Sequence, residues 1–286
     1  MPLLKESELI LNPDGSVYHL NLLPKDIAAD IITVGDPDRV EQVSQHFDRI
    51  ELVKHKREFK TITGTKSGKR LTVISTGIGT DNIDIVINEL DALVNINLKE
   101  RRVNGQNRAL NFYRIGTSGA IHPDIAVDSF LVSRYAIGLD GLMQFYEHKN
   151  PEEFDLFCSQ NKINAHMYLS SSSAELADYF LQHNFIKGLT ITATGFYGPQ
   201  NRELRLRSTA RTVFGKLKDF RLGNLSPTNL EMETAGIYGL GNLLGHNCIS
   251  LNAILANRMT GEFSKTPKET MNSLIETTLE LILNRN

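Results

Sequence analysis

Three short segments of the sequence combine glycine with side chains that bind anions. They are VGDPDR with Arg39, STGIGTDN, and RIGTSGAI with Arg114 and Thr117. In each segment glycine follows a run typical of a buried strand, where it allows a ligand to approach exposed backbone N–H groups. Two guanidinium groups, a hydroxyl and glycine amides suit phosphate. The spacing matches neither a P-loop nor G-x-G-x-x-G, which argues against a nucleoside triphosphate or a dinucleotide.

Arg39 occupies an unusual position for a cation. Asp36 is a good helix N-cap and Pro37 suits the first helical position, so Arg39 falls in a first turn where positive charge opposes the helix dipole. Two interpretations follow. Either Asp38 compensates and Arg39 points into water, or Arg39 and the helix N-terminus together surround an anion.

Alternating apolar runs and helix-period segments predict an α/β fold that positions these three segments. The carboxyl ends of parallel strands line a common crevice, so we expect the segments to meet there. Strands are predicted at 30–35, 59–66, 69–77, 111–121, 129–137, 188–198 and 248–258, and helices at 37–47, 81–96, 174–183, 229–246 and 266–284.

The chain shows no linker rich in Pro, Gly or Ser, and we therefore expect residues 1–286 to form a single domain, with 1–16 as an N-terminal extension. The polar segment 97–111 is expected to be a surface loop or a helix end. Its basic residues could indicate nucleic-acid binding. Because the chain as a whole is close to neutral, a solvent-exposed loop is favoured instead.

Composition excludes several classes of function. The 286 residues carry a net charge of -2, so nothing indicates a nucleic-acid or lipid partner. Cys158 and Cys248 are the two cysteines, which excludes a disulfide scaffold. The histidines show no metal-ligand spacing, and no metal site is expected. The sequence lacks a signal peptide or an apolar run of membrane-spanning length, so we expect a cytoplasmic protein.

Seven motifs in order carry a resemblance to a known family: GDPDR, HKREF, STGIGTDN, RIGTSGAI, GFYGPQNR, NLEMETAGI and ANR. From about Val17 to the C-terminal helix, the chain resembles the nucleoside phosphorylases with the purine nucleoside/uridine phosphorylase fold. The resemblance implies a three-layer α/β/α fold with a central mixed, partly barrel-like sheet flanked by helices. It also implies a pentosyltransferase that uses inorganic phosphate as a co-substrate and needs no cofactor.

The resemblance assigns roles to thirteen residues. Arg39, Arg114, Glu233 and Arg202 are the expected catalytic residues. The expected phosphate ligands are Gly35, Arg39, Arg57, Arg114 and Thr117. The expected ribose ligands are His19, Glu231, Met232 and Glu233. The expected base ligands are Phe196, Gln200, Arg202 and Arg258. Arg57 and His19 would act from a neighbouring subunit, which implies a homo-oligomer with a dimer as the minimal unit and a hexamer as the expected assembly.

Two features bear on the substrate. Gln200 and Arg202 suit the edge of a pyrimidine, and the last strand reads ANR without the acid common in purine enzymes, so phosphorolysis of uridine to uracil and ribose 1-phosphate is favoured. One alternative is a phosphorylase for another nucleoside, such as a purine nucleoside, thymidine or deoxyuridine. Two others are a nucleosidase that uses water and a catalytically silent binding protein.

The two acids of the EMET motif lie within a predicted helix. A spacing of two directs Glu231 and Glu233 to different faces of that helix, and Glu233 is the expected substrate ligand.

Overall fold

In the computed structural model, which describes residues 3–163 and 166–285, the chain forms thirteen strands and seven α-helices. The strands are β1 (Asp30–Val34), β2 (Arg49–Lys56), β3 (Phe59–Lys66), β4 (Lys69–Ser75), β5 (Ile96–Asn97), β6 (Arg102–Val103), β7 (Asn111–Ala120), β8 (Phe130–Gly138), β9 (Tyr168–Ser171), β10 (Ile186–Thr192), β11 (Pro227–Glu231), β12 (Asn247–Asn257) and β13 (Glu262–Phe263). The helices are α1 (Pro37–Ser44), α2 (Thr80–Asn95), α3 (Glu152–Gln160), α4 (Ala174–Phe180), α5 (Arg211–Leu217), α6 (Thr234–Leu244) and α7 (Pro267–Asn284).

Eleven of the strands form one mixed sheet that closes partly on itself. Strand β12 pairs with both β7 and β8, and β8, β10, β11 and β7 complete a ring. From β7 the sheet continues outward through β1, β4, β3 and β2. The predicted mixed, partly barrel-like sheet is therefore confirmed.

Helices cover both faces of this sheet because neighbouring strand residues point to opposite sides. Ile31 packs in a core with helices α2 and α6, whereas Ile32 packs in a second core with α1, α4 and α7. A third core forms under α3 and α5. The predicted three-layer α/β/α arrangement is confirmed, and its apolar layers fix the ends of the central strands.

Three of the local predictions are wrong. The predicted strand 188–198 ends at Thr192 as β10, and Gly198–Gln200 forms a short 3₁₀ helix. The predicted helix 229–246 begins only at Thr234, because Pro227–Glu231 forms the buried strand β11. The polar segment 97–111 is not simply a loop, since Ile96–Asn97 pairs with Arg102–Val103 in a small separate sheet. In the described part of the chain, no helix has both the length and the apolar character needed to cross a membrane.

Candidate active site

A cavity of about 710 Å³ lies at the carboxyl ends of β1 and β4 and beside the second half of β7. Strand β1 pairs in parallel with both neighbours, so the turns after β1 and β4 reach the same edge of the sheet. The third segment is not a turn as expected, since Gly116 and Gly119 lie within β7, which continues to Ala120. The wall includes Gly35 and Arg39 after β1, Gly77 after β4, and Arg114 and Thr117 from β7. The structure thus brings together the three segments that the sequence analysis singled out.

Arg39 lies half-buried on the wall of this cavity. The predicted cap is present, since the Asp36 carboxylate accepts a hydrogen bond from the Asp38 N–H at 2.9 Å, and α1 begins at Pro37. The Arg39 guanidinium donates no hydrogen bond to any residue that the structure describes. Burial and the charge of Arg114 lower its pKa, only partly opposed by Asp36 and Glu233. A half-buried cation without a partner favours the anion interpretation over the one in which Arg39 points into water.

Arg114, in contrast, is buried and closely held. Its Nη2 donates to Glu233 Oε2 at 2.6 Å and lies 3.1 Å from Glu231 Oε2. The guanidinium folds back over Gly116, where a Cβ would lie only 2.1 Å from Nη1, so glycine is required there. Burial lowers the pKa of Arg114, but the two carboxylates raise it by more, and the pKa stands above its ordinary value. Arg114 therefore supplies a fixed positive charge.

Glu231 and Glu233 meet at the junction between strand β11 and helix α6. Glu231 Oε2 accepts the N–H groups of Glu233 and Thr234, both at 2.9 Å, and so caps the helix. Glu233 Oε1 accepts the Gly79 N–H at 2.9 Å. The prediction that a spacing of two separates the acids is wrong, because Glu231 ends a strand and both carboxylates reach Arg114.

The charge state of Glu233 reflects competing influences. Burial raises its pKa, the nearby Arg114 lowers it, and the negative charge of Glu231 raises it again, so that the pKa stands above its ordinary value. Met232 lies between the two acids and lines the cavity with them. A carboxylate in this position could accept a hydroxyl hydrogen bond and stabilise positive charge on a bound ligand.

The other end of the cavity is formed by Phe196, Gln200 and Arg202. The Arg202 Cζ lies 3.9 Å from the centroid of the Phe196 ring, and Nη1 donates to the Phe196 carbonyl at 2.8 Å and to Gln200 Oε1. Burial and the charge of Arg258 lower the pKa of Arg202. A planar ring, an amide and a guanidinium together can hold a flat polar heterocycle.

Three expected ligands do not line this cavity. Arg258 donates to the backbone carbonyls of Gln200 and Asn201 and so supports the segment that carries Gln200. His19 Nδ1 lies 2.6 Å from Glu89 Oε1. Arg57 is exposed at the turn between β2 and β3, where its φ is +57°.

The cavity also includes residues that sequence reasoning did not assign to it. Glu58, Ile78, Asn82 and Ser118 line the wall. Behind the wall, the Asn252 Oδ1 accepts a hydrogen bond from Arg114 Nη1 at 3.0 Å. A polar residue within the apolar run of β12 was the signal that could have found Asn252.

Together, the α/β fold and the site define an enzyme-like protein in which paired arginines and buried carboxylates flank a slot for a flat ring. Residues 30–284 match the phosphorylase superfamily, and the chain belongs to this family.

Relatives and solved structures extend this result. The chain is 31% identical over 256 residues to a uridine phosphorylase of Thermococcus kodakarensis, covering 88% of this chain and 81% of the relative. It is 27% identical over 273 residues to the Escherichia coli uridine phosphorylase, covering 93% and 96%. It is also similar to the crystal structure of a Trypanosoma brucei nucleoside phosphorylase that shows uridine phosphorylase activity, with a TM-score of 0.86, 26% identity and coverage of 96% and 99%.

Proposed function

We propose that the protein is a uridine phosphorylase, which converts uridine and inorganic phosphate reversibly to uracil and ribose 1-phosphate. The observation that carries the proposal is the pair of Arg39 and Arg114 on one cavity wall, with Arg39 unpartnered among the described residues. The curated uridine phosphorylases that match most of the chain, and the structure with that activity, support the same function.

Phosphate binds between the arginines in this proposal. Arg39 donates from one side and the fixed charge of Arg114 acts from the other, while the Gly35 N–H and the Thr117 hydroxyl complete the contacts. Guanidinium groups hold phosphate well because their planar donors match its oxygens. The phosphate is thereby held close to the sugar, which lowers the entropic cost of its attack.

Ribose lies against Glu233 and Met232. As the bond between C1′ and the base nitrogen breaks, positive charge develops on the sugar, much as in glycoside hydrolysis. A Glu233 carboxylate that accepts a ribose hydroxyl stabilises this charge more strongly in the transition state than in the ground state, and only that difference accelerates the reaction. Glu231 stays in its helix cap and keeps the junction rigid.

The uracil ring lies beside Phe196 and departs with the electron pair of the broken bond. Gln200 offers both a donor and an acceptor, and Arg202 offers donors that stabilise the negative charge on the leaving base. A phosphate oxygen forms the new bond to C1′, so that the reaction needs no metal, cofactor or covalent enzyme intermediate.

We propose in addition that His19 and Arg57 complete the site of a neighbouring subunit, with a dimer as the minimal unit and a hexamer as the assembly. Both residues lie outside the cavity of their own chain, as a role in a neighbouring site requires. Mixing an Arg57→Ala variant with a Glu233→Gln variant tests it. Random dimers restore one intact site in each mixed pair, or about a quarter of wild-type activity. No recovery in mixed dimers would contradict the shared site.

The function itself is tested by following uracil absorbance after uridine is added, with and without phosphate. We expect release that depends on phosphate. Release without phosphate would indicate a nucleosidase. If only purine nucleosides or thymidine release their base, the substrate is one of these nucleosides and not uridine. No release from any nucleoside would indicate a binding protein.

A further inference from the structure

The hydrogen bonds of Arg114 leave few of its donors free. An arginine has five N–H groups. The Nη2 group is occupied by Glu231 and Glu233, and Nη1 donates to Ser250 at 3.3 Å and to Asn252 at 3.0 Å. Among the described residues, only the Nε–H lacks an acceptor. Arg114 can therefore meet a phosphate with one N–H and its full charge, provided that the guanidinium stays where it is.

Asn252 is the neutral residue that most directly fixes this position. Its side chain is fully buried. A guanidinium has no acceptor, so Oδ1 must face Arg114 and Nδ2 must point away. Nδ2 donates to the Ser133 hydroxyl at 3.0 Å, which holds the amide in that orientation.

A chain of buried hydrogen bonds extends from Asn252 back to the cavity. Ser133 bonds to Thr190 at 2.5 Å, Thr190 donates to Asn229 Oδ1 at 2.9 Å, and Asn229 Nδ2 donates to Ser118 at 3.0 Å. Ser118 lines the cavity. In the last of these bonds the Ser118 hydroxyl accepts, so its own proton is left to donate to the cavity.

We propose that Asn252 is a positioning residue for phosphate, an inference that rests on the proposed function. It fixes the Nη1 edge of Arg114, so that the guanidinium remains paired with Glu233 and presents its Nε–H and charge to the phosphate that Arg39 binds. Without Asn252 the guanidinium loses one of its two neutral anchors. Glu233 keeps its bond to the Gly79 N–H, so contacts to the ribose are affected less than those to phosphate.

The test measures KM for phosphate and for uridine, and the calorimetric Kd for inorganic phosphate with the protein alone. Asn252→Ala is expected to raise the phosphate KM and Kd about tenfold, the size expected for one lost bond to a charged group. Asn252→Asp keeps the shape but adds a third negative charge beside Arg114, and we expect a larger loss of about a hundredfold. The uridine KM should stay within about threefold in both variants.

Asn95→Ala is the matched control. Asn95 is also a buried asparagine with three side-chain hydrogen bonds, like Asn252, but it lies at the end of α2 opposite Gly79. We expect it to lose stability without a change in phosphate binding. If Asn252→Ala does not fold, Asn252→Asp and Ser250→Ala provide the same comparison.

If the folded Asn252 variants have the same KM and Kd for phosphate as the wild type, the inference is overturned. An equal loss of phosphate affinity in Asn95→Ala would do the same, since it would show a general effect of core damage. If the wild type releases no uracil, the proposed function fails separately, and the calorimetric Kd still decides the role of Asn252.

Discussion

The two ends of the cavity differ in how firmly their arginines are held. At the end that we propose binds phosphate and ribose, called the phosphate end below, Arg114 is buried and bonded to two carboxylates and two neutral acceptors. At the end that we propose binds the base, called the base end below, Arg202 bonds among the described residues only to groups of its own short segment, and Phe196 beside it is 51% exposed. The first end is built into the central sheet, whereas the second is attached to its rim.

This difference separates stability from specificity. Charges buried in a sheet are costly to expose or to leave unpaired, so a change at the phosphate end should damage the fold as well as the chemistry. A change at the rim should alter the choice of substrate at little cost in stability. In the proposed binding mode, this arrangement keeps the reacting centre rigid while leaving the base pocket open to variation.

The largest effect is expected for Arg114→Met. It leaves Glu231 and Glu233 buried without their counter-charge, which should cost about 3–5 kcal/mol in the free energy of unfolding. Phosphorolysis should fall at least about a thousandfold, because the fixed charge and the orientation of Glu233 are both lost. Denaturant titration and uracil release measure the two effects.

The same variant has a predicted pH dependence. Burial already raises the pKa of Glu233 above its ordinary 4.5, and loss of Arg114 raises it further. A carboxyl whose folded pKa exceeds its unfolded value favours the folded state while protonated, and that stability is lost as the pH rises through the window between the two values. The stability deficit relative to wild type should therefore be smaller at low pH. A deficit independent of pH would contradict the ionised state of this cluster.

Arg39→Met sharpens the comparison within the phosphate end. Arg39 has no side-chain partner in the described structure, so the free energy of unfolding should change by less than about 0.5 kcal/mol. The KM for phosphate should nevertheless rise about a hundredfold, since a charged contact to the anion is lost. Equal damage to stability in the Arg39 and Arg114 variants would break the distinction between them.

Arg202→Met tests the base end. We expect kcat/KM for uridine to fall about thirtyfold, because donors to the leaving base are removed. The melting temperature and the Kd for phosphate should match those of the wild type. Normal uridine turnover in this variant would show that the base is bound elsewhere.

Phe196→Leu should have the smallest effect. Leucine keeps apolar contact with the base but loses the ring that stacks on it and supports Arg202 at 3.9 Å. The KM for uridine should rise about fivefold, in line with the modest energy of such contacts at exposed positions. A fall in kcat/KM for uridine larger than that in Arg202→Met would reverse the order of importance proposed for this end.

The sequence predicted the parts of the fold that depend on local patterns. Apolar runs, the Asp36 cap and the glycine turns indicated β1, α1 and the meeting of the ends of β1 and β4, and the structure confirms these elements. The third expected strand end was wrong, because β7 continues through Gly116 and Gly119 to Ala120, although its residues do line the same cavity. The predicted start of α6 was wrong because Glu231 locally favours a helix, whereas the pairing of β11 with β10 and β7 places it in the sheet. Its carboxylate instead caps the helix that follows, a contact that depends on the folded backbone.

The internal bonding of the site could not be predicted from the sequence. Arg114 and Asn252 are 138 residues apart along the chain, and their contact arises only because β7 and β12 pair in parallel. The same pairing also brings Ser250 to Arg114. Motif spacing indicates which residues can bind phosphate, whereas strand register decides which of their donors are free.

A crystal structure with bound phosphate tests the central claim most directly. We predict one phosphate in the cavity, with the guanidinium groups of Arg39 and Arg114 both within about 3.2 Å of its oxygens and Glu233 still beside Arg114. A phosphate bound elsewhere, with Arg39 turned into solvent, would contradict the account.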